Sequence, residues 1–126
     1  MTARRKDSGS APPGWRTLTP RIVTRDVPGL VEFVRAVFEA SGELTTQRPT
    51  VLTIGDAMLM ISAAAERAPM PAFLYVYVAD VDALWQRALA AGAQALEAPA
   101  RVPYGDRRAM FADRWGNLWQ VATWSG

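Results

Sequence analysis

The stretch IVTRDVPGL at residues 22–30 decides the fold, because VYVADVDAL at residues 76–84 repeats its pattern 54 positions later. Each stretch places β-branched residues before an aspartate and an apolar helical spacing after it. The carboxylates of Asp26 and Asp80 can accept the free amides of a first helical turn, so each aspartate predicts a helix N-cap. The repeat therefore predicts two copies of one strand–helix unit.

Both units continue into short strand-like segments joined by tight turns. Gly55 and Gly116 mark hairpins 61 positions apart, so the second unit carries about seven extra residues, which we place near 103–105. We expect Gly42 to lie just past the end of the first helix. The predicted strands are 18–23, 43–48, 50–54 and 57–62 in the first unit, and 72–78, 93–98, 107–112 and 117–124 in the second.

The chain divides into a tail and one domain. Residues 1–14 are polar and rich in Ser, Gly and Pro, which is typical of a disordered tail. Residues 15–126 are long enough for a single core. Within them we expect module one at 15–62, a proline-containing linker at 63–71 and module two at 72–126, because one module alone leaves a sheet face uncovered.

Composition removes several classes of chemistry. The sequence contains neither cysteine nor histidine. A thiolate nucleophile, an imidazole base and a histidine-dependent serine triad are therefore excluded, and so is a conventional zinc site. Without cysteine no disulfide can form, which makes the cytoplasm the default location.

Charge and hydropathy argue against nucleic acid and membranes as partners. The net charge of +2 comes from Arg4, Arg5 and Lys6 against Asp7, so the folded part is expected to be neutral. No apolar run reaches the roughly 18 residues of a membrane span, and the N-terminus lacks the apolar core of a signal peptide.

Three segments resemble the vicinal oxygen chelate superfamily, which includes glyoxalase I, extradiol dioxygenases, and fosfomycin- and bleomycin-resistance proteins. They are TPRIVTRD at 19–26, VYVADVDAL at 76–84, and YGDRRAMFADRWGNLWQVAT at 104–123. The last is similar to the family's hairpin of the form Asp-Pro-x-Gly-Asn followed by an apolar strand. The resemblance covers residues 18–124. It implies an α+β fold of two βαβββ modules that form a curved mixed sheet around a cleft, with the helices outside.

The resemblance also implies where a metal would lie, since enzymes of the family hold one on His and on Glu or Gln. At those positions this chain has Thr19, Met58 or Met60, Phe73 and Gln120. Gln120 alone offers an oxygen, and one neutral amide cannot hold a divalent cation. We therefore expect no metal and no cofactor. The chain is most similar to the metal-free bleomycin-resistance branch, whose members are usually homodimers with ligand sites at or near the subunit contact.

Strand alternation predicts what lines the cleft instead. If Phe73 faces the cleft, Tyr75 and Tyr77 do so as well. Such aromatic walls suit a flat organic molecule, methionines adapt to its shape, and Arg21 could pair a carboxylate or phenolate on it. The predicted ligand-binding residues are Arg21, Met58, Met60, Phe73, Tyr75, Tyr77, Gln120 and Trp124, with Ser62 on the same face as the methionines.

Other residues favour structural roles. We expect Trp85 to lie in the core, Trp119 to be buried under the second helix, and Asp113 to cap its own hairpin. The tryptophans left for a subunit contact are Trp15, Trp115 and Trp124.

The sequence leaves three functions open. The first is a metal-independent binding protein that sequesters or carries an aromatic compound such as an antibiotic. The second is a metal-independent lyase, isomerase or cyclase whose general base is Asp106, Glu97 or Tyr104. The third is a structural module without a ligand, in which Phe73, Tyr77 and Trp124 themselves fill a collapsed cleft, or in which the aromatic strand is plain core.

Overall fold

The order of helices and strands follows the predicted repeat. The structure, a computed structural model, describes residues 10–125. Its elements are β1 (Arg21–Thr24), α1 (Val27–Phe38), β2 (Thr50–Ile54), β3 (Ala57–Ala63), β4 (Phe73–Tyr77), α2 (Val81–Ala90), β5 (Gln94–Arg101), β6 (Asp106–Ala112) and β7 (Leu118–Trp124).

Both predicted N-caps are confirmed. Asp26 Oδ1 accepts the Gly29 amide at 3.0 Å, and Asp80 Oδ1 accepts the Ala83 amide at 3.1 Å. Helix α1 ends at Phe38, earlier than the glycine at position 42 suggested. The C-cap is Glu39, which adopts a left-handed conformation with φ of 56°.

The strands form two mixed sheets rather than one. The first sheet has the order β1-β3-β2, and the second has the order β4-β7-β6-β5. In each sheet the first strand of the module runs parallel to the last, β1 to β3 and β4 to β7. The α+β class and the repeated strand–helix modules are thereby confirmed, although the sheets do not close around a common cleft.

The strand predicted at 43–48 is wrong. Only an isolated bridge joins Ser41 to Thr53 at this edge, so the first sheet has three strands where the repeat suggested four. Side chains take the hydrogen bonds that a ladder would need. The Thr45 amide donates to Thr50 Oγ1 at 3.0 Å, and Thr45 Oγ1 donates to the Arg48 carbonyl at 3.0 Å. Such local side-chain bonds favour a loop over a strand.

The two helices and the inner faces of both sheets share one core. Trp85 is buried, as predicted. Trp119 is also buried, but its ring lies 4.8 Å from that of Phe38, so it packs on helix α1 rather than only beneath α2. Arg87 Nε donates to the Val37 carbonyl at 3.0 Å and joins α2 to the end of α1. The modules are thus held together by packing and by this bond.

The predicted tail falls largely outside the described residues. Positions 1–9 lie beyond them, and just after them the Trp15 amide donates to the Pro12 carbonyl at 3.1 Å in a turn. Within residues 10–125, neither helix is long and apolar enough to cross a membrane.

Candidate functional site

The side of the four-stranded sheet that faces away from the helices carries a row of exposed aromatic side chains. Phe73, Tyr75 and Tyr77 of β4 are 60%, 39% and 62% exposed, whereas Leu74 and Val76 pack against the core. This alternation is what a strand with one buried face requires. The open face, as we call it, consists of Phe73, Tyr75 and Tyr77 of β4, Leu118, Gln120, Ala122 and Trp124 of β7, and Asp106, Arg108 and Met110 of β6.

The exposure of these rings decides between two of the sequence-based alternatives. Phe73, Tyr77 and Trp124 are 60–68% exposed, so they do not fill a collapsed cleft within the described chain. Neither is β4 plain core, because every second side chain points to solvent. The structure therefore presents a broad aromatic surface.

A buried carboxylate orders two of the rings. Tyr75 donates its hydroxyl hydrogen to Asp106 Oδ2 at 2.6 Å, and Tyr77 donates to the same oxygen at 3.1 Å. Asp106 is 2% exposed, and the tyrosine rings lie 5.4 Å apart. Because β7 separates β4 from β6, both side chains reach across β7, where the small Ala122 is fully covered.

These contacts keep the two phenols protonated. Burial, followed by the hydrogen bond to Asp106, raises the pKa of Tyr75 far above its usual value. The same hydrogen bond is the main cause that raises the pKa of Tyr77. Ionisation of either phenol would place a second negative charge against the carboxylate. Both phenols therefore keep their hydrogens at neutral and at moderately alkaline pH.

A guanidinium and a third phenol lie beside this cluster. Arg108 Nη1 donates to the Tyr104 hydroxyl at 2.7 Å. Tyr104 is 66% exposed, and Arg108 is half-buried on the open face in register with Ala122. Sequence reasoning placed Asp106 and Tyr104 near a loop as possible bases, and did not include Arg108. The alternation of Asp106 and Arg108 along β6 was the signal that could have placed both on one face.

The remaining predicted residues lie on the first sheet. Arg21 is in register with Met60, and its Nε donates to Ser62 Oγ at 2.8 Å. Met58 approaches the aromatic strand, since it shares a cleft of 310 Å³ with Tyr75 and Tyr77 between the β2–β3 hairpin and the free edge of β4. The structure thus brings Met58 to the rings, and leaves Arg21 and Met60 on a different sheet.

The turn between β6 and β7 supports the open face from one end. Asp113 caps this hairpin, as predicted, and is 6% exposed. Its carboxylate accepts four hydrogen bonds of 2.9 Å, from the amides of Trp115 and Asn117 and from the side chains of Asn117 and Trp119. Asn117 Oδ1 in turn accepts the Ala72 amide at 2.8 Å. One carboxylate thereby fixes the spacing of β4, β6 and β7.

The hairpin tip also joins the two modules. Trp115 Nε1 donates to Asp26 Oδ2 at 3.1 Å, and its ring meets Phe33 of α1 edge-on at 6.0 Å. Trp115 is therefore engaged within the chain. Trp124, which is 68% exposed, remains available on the surface.

The side chains at the family's metal positions do not fit a metal ion. Phe73 and Gln120 lie on the open face, Thr19 precedes β1, and Met58 and Met60 lie on β3. Within residues 10–125, no three His, Cys, Asp or Glu side chains are grouped closely enough to hold one. Thioethers, a phenyl ring and one amide are poor donors for a divalent cation.

Comparisons with known proteins agree with this architecture. Among curated proteins, none matches the chain in sequence. The structure resembles that of TioX from Micromonospora sp. ML1, with a TM-score of 0.74, 22% identity, and coverage of 87% of this chain and 99% of that one. A glyoxalase/bleomycin resistance protein/dioxygenase family enzyme from Burkholderia phytofirmans PsJN has a TM-score of 0.73 and 22% identity, with coverage of 85% of this chain and 97% of that one. Lactoylglutathione lyase from Agrobacterium tumefaciens has a TM-score of 0.67 and 20% identity, with coverage of 89% of this chain and 96% of that one.

At these identities the likeness establishes the fold and not an activity. In sequence, the profile of the Glyoxalase/Bleomycin resistance protein/Dioxygenase superfamily matches residues 17–121, which is most of the chain. The chain therefore belongs to the glyoxalase/bleomycin resistance protein/dioxygenase superfamily.

Proposed function

We propose that this protein binds a flat aromatic organic compound, such as an antibiotic, on the open face without a metal ion, and that it sequesters or carries that compound. The observation that carries the proposal is the set of four aromatic side chains, 39–68% exposed, on one face of one sheet. Rings of this size are normally buried, and an exposed apolar patch marks an interaction site. The absence of cysteine favours the cytoplasm as the place where this occurs.

The chemistry of the open face suits such a ligand. Phe73 and Trp124 offer bare ring surface, and the Tyr75 and Tyr77 rings lie side by side. Offset stacking on each ring contributes about 0.5–1.5 kcal/mol beyond the burial of area. Met58 lines the adjoining cleft and adapts to irregular shapes.

We further propose that a second copy of the chain supplies the opposite wall, as a homodimer. Residues 10–125 of one copy provide a surface rather than an enclosed pocket, and small-molecule sites usually bury most of their ligand. Sedimentation velocity measures the oligomeric state directly. A protein that is monomeric at micromolar concentration and still binds the ligand tightly would contradict the proposed homodimer.

Tryptophan fluorescence, titrated with neutral polycyclic compounds such as anthracene-2-carboxamide, tests the binding proposal. We expect saturable quenching at micromolar ligand, weakened about tenfold in Phe73→Ala or Trp124→Ala. Leu44→Ala is the matched control, because Leu44 is 42% exposed but lies in the segment between α1 and β2, outside the open face. Equal losses in all three variants, or no quenching, would refute the proposal.

Catalysis is the second candidate, favoured by the carboxylate of Asp106 on the open face. This would be a metal-independent lyase, isomerase or cyclase, in which Asp106 accepts a proton directly or through the Tyr77 hydroxyl that donates to it. Mass spectrometry of each bound compound after incubation tests this. A product formed by the wild type and not by Asp106→Asn would establish catalysis, and an unchanged compound leaves binding as the function.

A further inference from the structure

The arginine on the open face, Arg108, bears on the charge of the ligand, a question that rests on the proposed function. Among the described residues, the ion pairs within 4.0 Å are Arg16–Asp56 and Arg107–Asp82. Arg108 is in neither, and its hydrogen bond to the Tyr104 hydroxyl has a neutral partner. A half-buried guanidinium normally finds a carboxylate or another anion.

The neighbouring arginine shows what a structural pairing looks like in the same strand. Arg107 donates through Nε and Nη2 to both oxygens of Asp82, at 2.8 and 2.9 Å. It points to the helix side of the sheet, since successive strand residues alternate. The two neighbouring arginines therefore differ: Arg107 is paired with helix α2, and Arg108 is half-buried beside the aromatic rings.

The direction of the hydrogen bonds shows which kind of ligand atom fits. The hydroxyl hydrogens of Tyr75 and Tyr77 are both given to Asp106. Tyr104 accepts from Arg108, and its own hydrogen has no acceptor among residues 10–125. Arg108 also lies beside the Tyr75 hydroxyl, where its hydrogen bond acts to lower the pKa of that phenol, and its guanidinium keeps N–H groups beyond these two contacts. At this point the open face therefore presents unused donors, and their complement is an acceptor oxygen.

Two carboxylates of the second sheet could oppose an anion here. Asp106 is buried and already accepts two hydroxyl hydrogens, which stabilise its charge within the protein. Glu97 is exposed on the edge strand β5, in register with Met110, and water screens it. Neither is within ion-pair distance of Arg108.

We propose that Arg108 and Tyr104 receive an anionic oxygen of the aromatic ligand, so that the protein prefers aromatic carboxylates or phenolates to neutral or cationic aromatic compounds. The rings provide affinity for the flat body of the ligand, and this pair fixes its orientation. Sequence reasoning gave the anion-binding role to Arg21, but Arg21 lies on the other sheet with its Nε bonded to Ser62.

Three probes with one ring system test the proposal, namely anthracene-2-carboxylate, anthracene-2-carboxamide and 2-(aminomethyl)anthracene. A hydrogen-bonded charge contributes enough for the wild type to bind the carboxylate about tenfold or more tightly than the amide. Arg108→Gln should reduce this preference to about threefold or less, because binding of the carboxylate weakens more than binding of the amide. Tyr104→Phe should weaken carboxylate binding by a smaller factor. Arg107→Gln is the matched control and should retain the preference.

The outcomes separate this inference from the binding proposal. Equal affinity of the wild type for carboxylate and amide, preference for the amine, or a preference that survives in Arg108→Gln would overturn the anion site while aromatic binding stands. Failure of all three probes to bind would remove the proposed function together with the inference. The comparison of probes on the wild type needs no variant, so it holds even if a substitution impairs folding.

Discussion

Replacing Asp113 with asparagine should destabilise the protein strongly, although the two side chains have nearly the same size. The carboxylate is 6% exposed and accepts four hydrogen bonds of 2.9 Å, two on each oxygen. Asparagine has one oxygen and one NH2 group. Whichever way the amide is turned, two N–H donors then face another donor.

The magnitude follows from those two unmet donors. Each buried donor left without an acceptor costs about 1–3 kcal/mol, so the substitution should lower the free energy of unfolding by about 2–6 kcal/mol. That is a large share of the roughly 5–15 kcal/mol that stabilises a domain of this kind. Urea unfolding followed by far-ultraviolet circular dichroism measures this loss. The slope of the unfolding free energy against urea concentration should be the same in the variant and the wild type.

The matched control is Asp80→Asn, the same chemical change at an exposed N-cap. Asparagine caps helices about as well as aspartate, so this variant should lose no more than about 0.5 kcal/mol. If Asp113→Asn and Asp80→Asn lost the same small amount, the four-bond geometry would not be what holds the β6–β7 turn, and the reasoning would fail.

Three further perturbations test other contacts. Because the folded protein raises the pKa of Tyr75, the folded state keeps a proton that the unfolded chain loses above about pH 10. The free energy of unfolding should therefore be at its full value below that pH and fall as the pH rises further, and it should fall less in Tyr75→Phe. Urea midpoints measured between pH 8 and 11 test this. Gly29→Ala puts a methyl group against the Asp26 carboxylate and 2.8 Å from Trp115 Cζ2, so we expect a loss of about 1–3 kcal/mol in thermal unfolding; an unchanged midpoint would mean that the contact between modules is loose. Thr123→Val removes a hydroxyl that accepts the Val81 amide at 3.1 Å and donates to the Val78 carbonyl at 2.9 Å. The substitution should lower the free energy of unfolding by about 1–3 kcal/mol. A change within experimental error would argue against this cap.

Local chemistry made much of the fold predictable. Asp26 and Asp80 cap their helices by accepting the backbone amides of the residues three positions later, so no distant contact has to be known. The period-two pattern of β4 likewise placed Phe73 and Tyr77 on an exposed face. The prediction of a strand at 43–48 failed because Thr45 forms hydrogen bonds within its own loop. A comparison of the two modules does not reveal such bonds.

The relation between distant segments could not be predicted in the same way. Trp119 is buried as predicted, but its contact with Phe38 of α1 could not be predicted, because the sequence does not show how the two modules pack. For the same reason Arg21 was grouped with the aromatic strand although it lies on the other sheet. Arg108 was missed because its importance depends on where Tyr104 and Asp106 lie in space.

The shared oxygen of Asp106 has a consequence for the entropy of binding. A free tyrosine on a surface samples several rotamers, and holding one still on association costs about 0.5–1.5 kcal/mol. Here Tyr75 and Tyr77 are tethered at their hydroxyls before any ligand arrives. Folding has already met that entropic cost, so for the proposed aromatic ligand the two rings would be a preorganised surface. Asp106→Ala would keep all the aromatic residues but release the Tyr75 and Tyr77 rings. Affinity for the proposed ligand should then fall because the rings move, and not because a contact surface is lost.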